Sequence, residues 1–399
     1  MRARWIGVVC VVAAIALGTA ASARAQQTRD EEHAAEQAAK AAQLHPYVPT
    51  SAERLVERVE SLVYGPPTTV FPFFGSAFPG GGLALGPAFR APIGDSGVFG
   101  VHGAWSVKNY LVADGALTLP KLADGMLTLT LGANWLRAPE VAFYGIGKSS
   151  SSDDKASFFY RTTTAGGSAR FEPGRVLAVG AGVDYFDVAT GGTSGTSVEE
   201  VFAPDTTPGL GADVTYVRSR AFAEIDWRQS PGYTTSGGLY RLDWTNYGAR
   251  RDAPYSFTRL DAEVDQFVPI FRGSSVIALR AMGSFTDTNA GQAVPYFLLP
   301  DLGGARYLRG YRHWRFRDRN RMLLTGEYRW TAGRFIDMAL FMDAGKVAPR
   351  AEDLDLRDLN TSYGIGIRFH APAATMLRVE LAQTRDAGIG IIFAFGPSF

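Results

Sequence analysis

From residue 68 onward, apolar and polar residues alternate along the chain in one segment after another. The last segment is the clearest, because five apolar side chains share one of its faces: Ile389, Ile391, Phe393, Phe395 and Phe399. A period of two predicts β-strands with one apolar face. We place sixteen strands, at 68–78, 82–91, 97–107, 109–120, 125–137, 156–171, 175–188, 213–229, 237–250, 255–270, 274–287, 320–331, 334–347, 360–371, 375–386 and 387–399.

The lengths of these strands and of their connections separate two kinds of β-protein. A soluble sandwich shows the same alternation, but many of these segments are as long as the ~9–11 residues that cross a bilayer at a tilt. If the first strand runs outward, the long connections all fall on the outer side: 138–155, 189–212, 288–319 and 348–359. An even strand number with short periplasmic turns is the signature of bacterial outer-membrane barrels. We therefore predict an all-β, transmembrane antiparallel barrel over residues 68–399.

The two ends of the chain carry targeting signals. A charged start, an apolar run to about Ala20 and the small residues Ala23 and Ala25 predict a secretory signal peptide over residues 1–25. Residues 26–67 predict a periplasmic linker with a short amphipathic helix. An aromatic residue ending an amphipathic strand is the usual assembly signal of outer-membrane barrels. We therefore assign that role to Phe399, with Phe393 and Phe395, and predict contact with outer-membrane lipid and with the barrel-assembly machinery.

Composition and residue placement narrow the function further. The chain has 40 basic and 39 acidic residues, so nothing indicates binding to nucleic acid. The only cysteine, Cys10, lies inside the predicted signal peptide, which excludes disulfides and thiolate chemistry from the mature chain. The barrel's histidines, His102, His313 and His370, fall on separate strands or loops. We predict no metal site, no cofactor and no enzymatic activity.

The connection 288–319 is long and basic, and its neighbours are apolar. A barrel of sixteen strands leaves a wet lumen unless something fills it, so we predict that this loop folds inward. An arginine buried there needs an acidic partner. Strand parity turns Asp343 and Glu327 inward, so either carboxylate can pair with Arg309. On spacing alone, Arg309 can equally be one of many solvated loop arginines.

Two motifs in this region carry a family resemblance. Leu308–Tyr311, read Leu-Arg-Gly-Tyr, resembles the VRGF/Y signature on the inward loop of the BamA/TamA and two-partner-secretion transporter superfamily. Phe341–Gly345 is similar to that superfamily's F-x-D-x-G strand motif, and Glu327–Arg329 resembles its E-Y-R. The resemblance is specific over 297–399 and general over 68–296. It implies a sixteen-stranded barrel whose inward loop is locked by Arg309 and Asp343, with Gly310, Tyr311, Gly345 and Glu327 in the same lock.

The resemblance also implies a function. Members of that superfamily assemble barrels or secrete proteins, so we expect a barrel that assists protein insertion or translocation, with a protein client or passenger. Residues 26–67 are too short for a periplasmic POTRA domain. The chain therefore resembles the branch with little or no N-terminal domain, for which direct capture of clients is in doubt. The alternative from the residues alone is a loop-plugged pore for small solutes.

Overall fold

One antiparallel sheet of sixteen strands curls into a nearly closed barrel in the computed structural model, which describes residues 69–372, 374–386 and 388–399. The predicted all-β barrel is confirmed. The predicted signal peptide and linker helix lie outside the described residues. The strands are β1 Val70–Ser76, β2 Leu83–Ile93, β3 Gly97–Ser106, β4 Leu111–Leu122, β5 Leu127–Phe143, β6 Ala156–Phe171, β7 Leu177–Gly191, β8 Val214–Asp226, β9 Gly237–Ala249, β10 Phe257–Ile270, β11 Ser275–Asp287, β12 Asp301–Leu302, β13 Phe316–Arg317, β14 Asn320–Gly333, β15 Ile336–Ala348, β16 Asn360–His370, β17 Thr375–Thr384 and β18 Gly388–Phe395.

The strands pair in chain order around the barrel. β1 to β11 form consecutive antiparallel ladders, β14 pairs with β11, and the ladder then continues to β18. The short strands β12 and β13 pair only with each other and belong to the connection between β11 and β14. No helix among the described residues is long and apolar enough to cross a membrane.

The alternation in sequence becomes an alternation of burial. Leu131 on β5 and Leu340 on β15 are 59% and 48% exposed and point away from the lumen. The intervening β15 residues Ala339, Phe341 and Asp343 are buried on the other face. Since the outer wall of a membrane barrel faces lipid and the inner wall faces the lumen, this period of two assigns each side chain to one environment.

Short and long connections fall at opposite ends of the barrel. The end with the shorter turns, which we call the inner end, carries 94–96, 123–126, 172–176, 227–236, 271–274, 334–335 and 371–374. The outer end carries the long connections 144–155, 192–213, 288–319 and 349–359. Short turns are periplasmic in bacterial outer-membrane barrels, so the inner end is the periplasmic one.

Two strand ends differ most from the prediction. β5 continues to Phe143 rather than stopping at residue 137, because its ladder with β6 resumes beyond an irregularity between Ala138 and Val141. β18 stops at Phe395 rather than continuing to the last residue. Gly396 has a φ of +76° and the next residue is a proline, and both features end a ladder.

The outer end of the barrel is filled by aromatic side chains, which we call the outer aromatic core. Its largest buried members lie at the outer ends of β5 to β10 and in the connections 144–155 and 288–319: Phe143, Tyr144, Phe158, Tyr216, Phe257 and Tyr296. The ring of Tyr296 packs edge-on against Phe143 and Phe158, at centroid distances of 5.1 and 4.9 Å. The short helix α1, Val198–Val201, adds Val198 to this core. The core fixes the first part of the 288–319 connection.

Candidate functional site

The connection 288–319, which we call the inward loop, packs into the barrel beside β14 and β15. Its apolar side chains form one buried cluster with the wall: Leu302, Leu308, Tyr311, Phe316, Leu323 and Val347. The β12–β13 ladder pairs Asp301 with Arg317 and stiffens the stem of the loop. Arg309 lies at its tip and is 2% exposed. The loop therefore places a buried guanidinium against the inner wall.

A tight backbone turn presents Arg309. Leu308 and Gly310, on either side of it, have φ angles of +61° and +86°. A Cβ on Gly310 would lie 2.6 Å from Thr384 Cγ2 and 3.0 Å from Ala382 Cβ, both on β17. Glycine is required here for two reasons: it adopts the left-handed conformation without strain, and it lets the loop approach the wall.

We expect Gly310→Ala to destabilise the barrel more than Gly291→Ala. Both glycines lie in the inward loop with positive φ, but nothing lies within 4 Å of a Cβ at Gly291. The left-handed conformation costs either alanine roughly 1–2 kcal/mol, and overpacking adds roughly 1–3 kcal/mol at Gly310 alone. Urea unfolding of the refolded proteins measures the difference. Equal midpoints for the two variants would show that the loop does not press against β17.

Asp343 on β15 receives Arg309 in a forked pair. Arg309 Nε donates to Oδ2 at 2.8 Å and Nη2 donates to Oδ1 at 2.7 Å. The backbone N–H of Arg309 also donates to Asp343 Oδ2, at 2.9 Å. Two parallel charge-assisted bonds fix the plane of the guanidinium as well as its position. The Phe341 ring, whose centroid lies 3.6 Å from the guanidinium carbon, covers one face of that plane.

Two further carboxylates surround the same guanidinium. Arg309 Nη1 donates to Glu327 Oε1 at 2.5 Å and to Glu380 Oε1 at 3.3 Å. Burial lowers the pKa of Arg309, but Asp343, Glu327 and Glu380 outweigh that effect and raise it above the usual value. The side chain is therefore charged at every pH at which the protein folds. Glu327 was the second partner proposed from the sequence, whereas Glu380 on β17 was missed.

Three wall arginines complete the group, which we call the lock cluster: Arg309, Arg329, Arg368, Arg378, Glu327, Asp343 and Glu380. Arg329 Nε and Arg368 Nη2 each donate to Glu327 Oε2 at 2.7 Å. Arg378 Nη1 donates to Glu380 Oε2 at 2.8 Å. Each carboxylate is at most 2% exposed. Because a buried charge is costly without partners, the wall strands β14 to β17 and the loop stabilise one another.

Tyr311 and Gly345 hold the loop beside the lock cluster. The ring of Tyr311 packs edge-on against Phe316 at 5.3 Å, and its hydroxyl lies 3.5 Å from the Thr361 carbonyl oxygen. A Cβ on Gly345 would lie 2.9 Å from Leu302 Cδ1. Gly345 therefore gives the stem of the loop room to lie flat on β15.

The C-terminal residues enter the lumen, which corrects the prediction that Phe399 shares the outward face of the last strand. Phe393 and Phe395 are 71% and 66% exposed on that face, but Phe399 is 6% exposed. The left-handed turn at Gly396 reverses the chain inward. The Phe399 ring packs against Phe267 at 5.7 Å. The role of these aromatic residues in assembly stays a prediction.

The preceding residue joins the lock cluster. Ser398 Oγ donates to Glu327 Oε2 at 3.2 Å and accepts from Arg329 Nη2 at 3.2 Å. The guanidinium groups of Arg280 and Arg329 lie 5.3 and 5.0 Å from the Phe399 ring centroid. The C-terminus is therefore bound to the same carboxylate that binds the loop.

Among residues 69–372, 374–386 and 388–399, no group of His, Cys, Asp and Glu side chains is arranged to hold a metal ion. His102 stacks on Phe73 at 4.3 Å, and His370 stacks on Tyr233 at 4.2 Å. Glu327, Asp343 and Glu380 pair with arginines in the lock cluster. That arrangement can hold a loop against the wall.

A sixteen-stranded antiparallel barrel with an apolar outer wall and a charged, loop-filled lumen defines an outer-membrane β-barrel. Residues 210–398 match the model of the Omp85 superfamily domain. Over these residues the match confirms the superfamily that the motifs around Arg309 and Asp343 predict. No curated protein matches the chain in sequence.

Solved structures share the fold at low sequence identity. BamA from Haemophilus ducreyi, in a form lacking POTRA domains 1–3, aligns with a TM-score of 0.62 at 14% identity, over 82% of this chain and 68% of that one. CdiB from Acinetobacter baumannii aligns with a TM-score of 0.51 at 10% identity, over 79% of this chain and 56% of that one. CdiB from Escherichia coli aligns with a TM-score of 0.52 at 12% identity, over 83% of this chain and 60% of that one. The chain thus spans less than two thirds of either CdiB.

Proposed function

We propose that this barrel assists the insertion of proteins into the bacterial outer membrane or their translocation across it. The observation that carries the proposal is the seam between the first and last strands. Among the described residues, ladders join each wall strand to the next from β1 to β18, but none joins β18 back to β1. The wall therefore has two strand edges, and both face the same gap.

Unpaired edges in a membrane wall have a physical consequence. Backbone N–H and C=O groups that lack partners cost several kcal/mol each in hydrocarbon. An extended segment of another polypeptide can satisfy them by adding to the sheet. An edge strand whose backbone groups are unpaired is therefore suited to pairing with a strand of a client protein.

The inward loop supports this seam from inside the barrel. Gly310 contacts β17 at Ala382 and Thr384, and its carbonyl oxygen would lie 3.7 Å from a Cβ on Gly390 of β18. Arg309, the neighbouring residue, is bound by carboxylates on β14, β15 and β17. The lock cluster therefore holds the last strands in position while their edge stays unpaired. We assign it a positioning role and no catalytic one.

A loop-plugged pore for small solutes is the second candidate. A cavity of about 240 Å³ adjoins β4 to β8 and has small residues on its walls, including Gly115, Gly132 and Gly166. Asp184 and Arg220, also in its lining, pair at 2.9 Å, so their charges offset each other in the cavity. A cavity with small and paired charged residues on its walls favours water and small polar solutes.

Depletion of the chain from its host distinguishes the two functions. We expect particular outer-membrane or surface proteins to fall several-fold in the membrane fraction, measured by quantitative proteomics, while uptake of a small fluorescent solute stays unchanged. Complementation with the intact gene is the control. An unchanged proteome together with reduced solute uptake would instead establish the pore and reject the proposed function.

The route to the membrane belongs to the same proposal. We infer that the chain is secreted after cleavage behind Ala25 and is inserted by the barrel-assembly machinery. The partners that this implies are outer-membrane lipid along the exposed apolar wall and a protein client or passenger at the seam. The alternation of outward residues such as Leu131 and Leu340, which continues around the barrel, supports the lipid contact.

A further inference from the structure

The connection between β8 and β9, residues 227–236, is the longest at the inner end of the barrel, and we call it the strap. The β8–β9 hairpin continues into it, because Gln229 N donates to Ser236 O at 3.1 Å. Its tip is closed by Thr234 Oγ1, which donates to Ser230 O at 2.7 Å. The strap therefore satisfies several of its polar groups internally.

The tip of the strap nevertheless crosses the lumen. Thr375 N, at the start of β17, donates to Gly232 O at 2.8 Å. Tyr233 Oη donates to Asp337 Oδ2 on β15 at 2.8 Å. The Tyr233 ring stacks on His370 of β16, with centroids 4.2 Å apart and planes 10° apart. Since β10, β11 and β14 separate β9 from β15 in the sheet, these contacts bridge the mouth rather than joining neighbours.

Under the strap lies a cavity of only about 20 Å³, lined by Tyr233 and Thr235 on one side. Arg329, Arg368 and Pro397 line the other side. This volume holds about one water molecule. The strap thus closes the inner side of the lock cluster, because Arg329 and Arg368 are the wall arginines that bind Glu327.

The contacts of Tyr233 at the tip are specific. Burial, together with Asp337, raises the pKa of the Tyr233 phenol, so it is a neutral donor to that carboxylate. Asp337 is 5% exposed, and its second oxygen lies 3.5 Å from His370 Nε2. Gly232 and Tyr233 join the strap to the opposite wall through one main-chain bond and one side chain, whereas neighbouring wall strands are joined by long ladders. It can leave the wall without breaking the barrel.

We propose that the strap is a gate for the inner mouth. The mouth is closed while Tyr233 lies between Asp337 and His370, and it opens when the tip swings away from β15, β16 and β17. The gate controls access to the lumen from the periplasmic end, whether a polypeptide or a small solute passes. It therefore goes beyond the proposed function and does not depend on it.

Single-channel recording of the full chain in planar bilayers tests the gate. We expect Tyr233→Ala to open several-fold more often than the wild type, or to a larger conductance, because the ring and the hydroxyl are both lost. Phe271→Ala is the matched control, since Phe271 lies on the adjacent inner turn and is 72% exposed. Its recordings should equal those of the wild type. Tyr233→Phe keeps the stacked ring and loses the hydroxyl that bonds to Asp337, so it should give an intermediate effect.

A cross-link tests the same gate in the opposite direction. In a Cys10→Ser background, Gly232→Cys and Thr375→Cys place a disulfide where the strap meets β17. The oxidised protein should show fewer or smaller openings than the wild type, and reduction should restore them. Heat-modifiable migration checks that each variant is folded. If Tyr233→Ala does not fold, the recordings of the disulfide-linked protein before and after reduction test the proposal. Wild-type recordings from every folded variant, oxidised or reduced, would overturn the proposal.

Discussion

Replacing Arg309 by alanine should release the inward loop and destabilise the barrel more than any other single change in the loop. The substitution leaves Asp343, Glu327 and Glu380 buried beside one another, with one of their cations removed. Removing one partner of a buried ion pair costs roughly 3–5 kcal/mol. Limited proteolysis of residues 300–316 measures the release of the loop, and urea unfolding measures the loss of stability.

Two further variants separate the geometry of the lock from its charge. Arg309→Lys keeps the charge but cannot form the forked pair with Asp343, so it should restore only part of the protection. Arg312→Ala removes an exposed arginine from the same loop and should leave the protection unchanged. If Arg309→Ala and Asp343→Ala both show wild-type proteolysis, the lock cluster does not hold the loop.

Phe399→Ala should cause the second large loss, in the amount of folded barrel in the membrane. The Phe399 side chain is buried with Phe267, Val276 and Ala278, and truncating a buried phenylalanine costs roughly 3–5 kcal/mol. Heat-modifiable migration of membrane fractions measures the amount of folded protein. A normal amount after this substitution, or after deletion of Phe399, would contradict the prediction.

Phe395→Ala distinguishes lumen packing from recognition during assembly. Phe395 is exposed on the outer face of β18, so its loss should barely change the urea midpoint of protein refolded in detergent micelles. Phe399→Ala should lower that midpoint. A deficit of Phe395→Ala in cells but not in micelles would show that the assembly machinery reads the outward aromatic residues.

The wall of the barrel could be predicted because strand geometry leaves little freedom. A side chain two residues along returns to the same face, so Asp343 and Glu327 were assigned to the lumen from their positions alone. The predicted strand β1 also forms although it contains Pro72. It lies at an edge of the sheet, where a missing N–H is tolerated. The bounds of β6 agree with the prediction at both ends.

The contacts inside the lumen could not be predicted in the same way. Parity also turns Arg378 and Glu380 inward, so a signal was present, but it does not say which inward charges meet. That depends on the stagger of β14 against β17 and on how deep the loop reaches. Phe399 was misplaced because alternation was extended through Gly396 and Pro397, where the ladder has ended. No pattern in the sequence predicts the contacts of the strap, since Tyr233 and its partner Asp337 lie more than a hundred residues apart.

The order of the lock residues along the chain has a kinetic consequence. Arg309 precedes Glu327, Asp343 and Glu380, and its carboxylates lie on β14, β15 and β17. The loop docks on strands that come later in the chain, so the segment from the inward loop to β17 should fold as one cooperative unit. In hydrogen exchange, the amides of β14 to β17 should then open together, while those of β3 to β7 exchange independently. Because its carboxylate partners come later in the chain, Arg309 should become buried only after β14 to β17 have assembled.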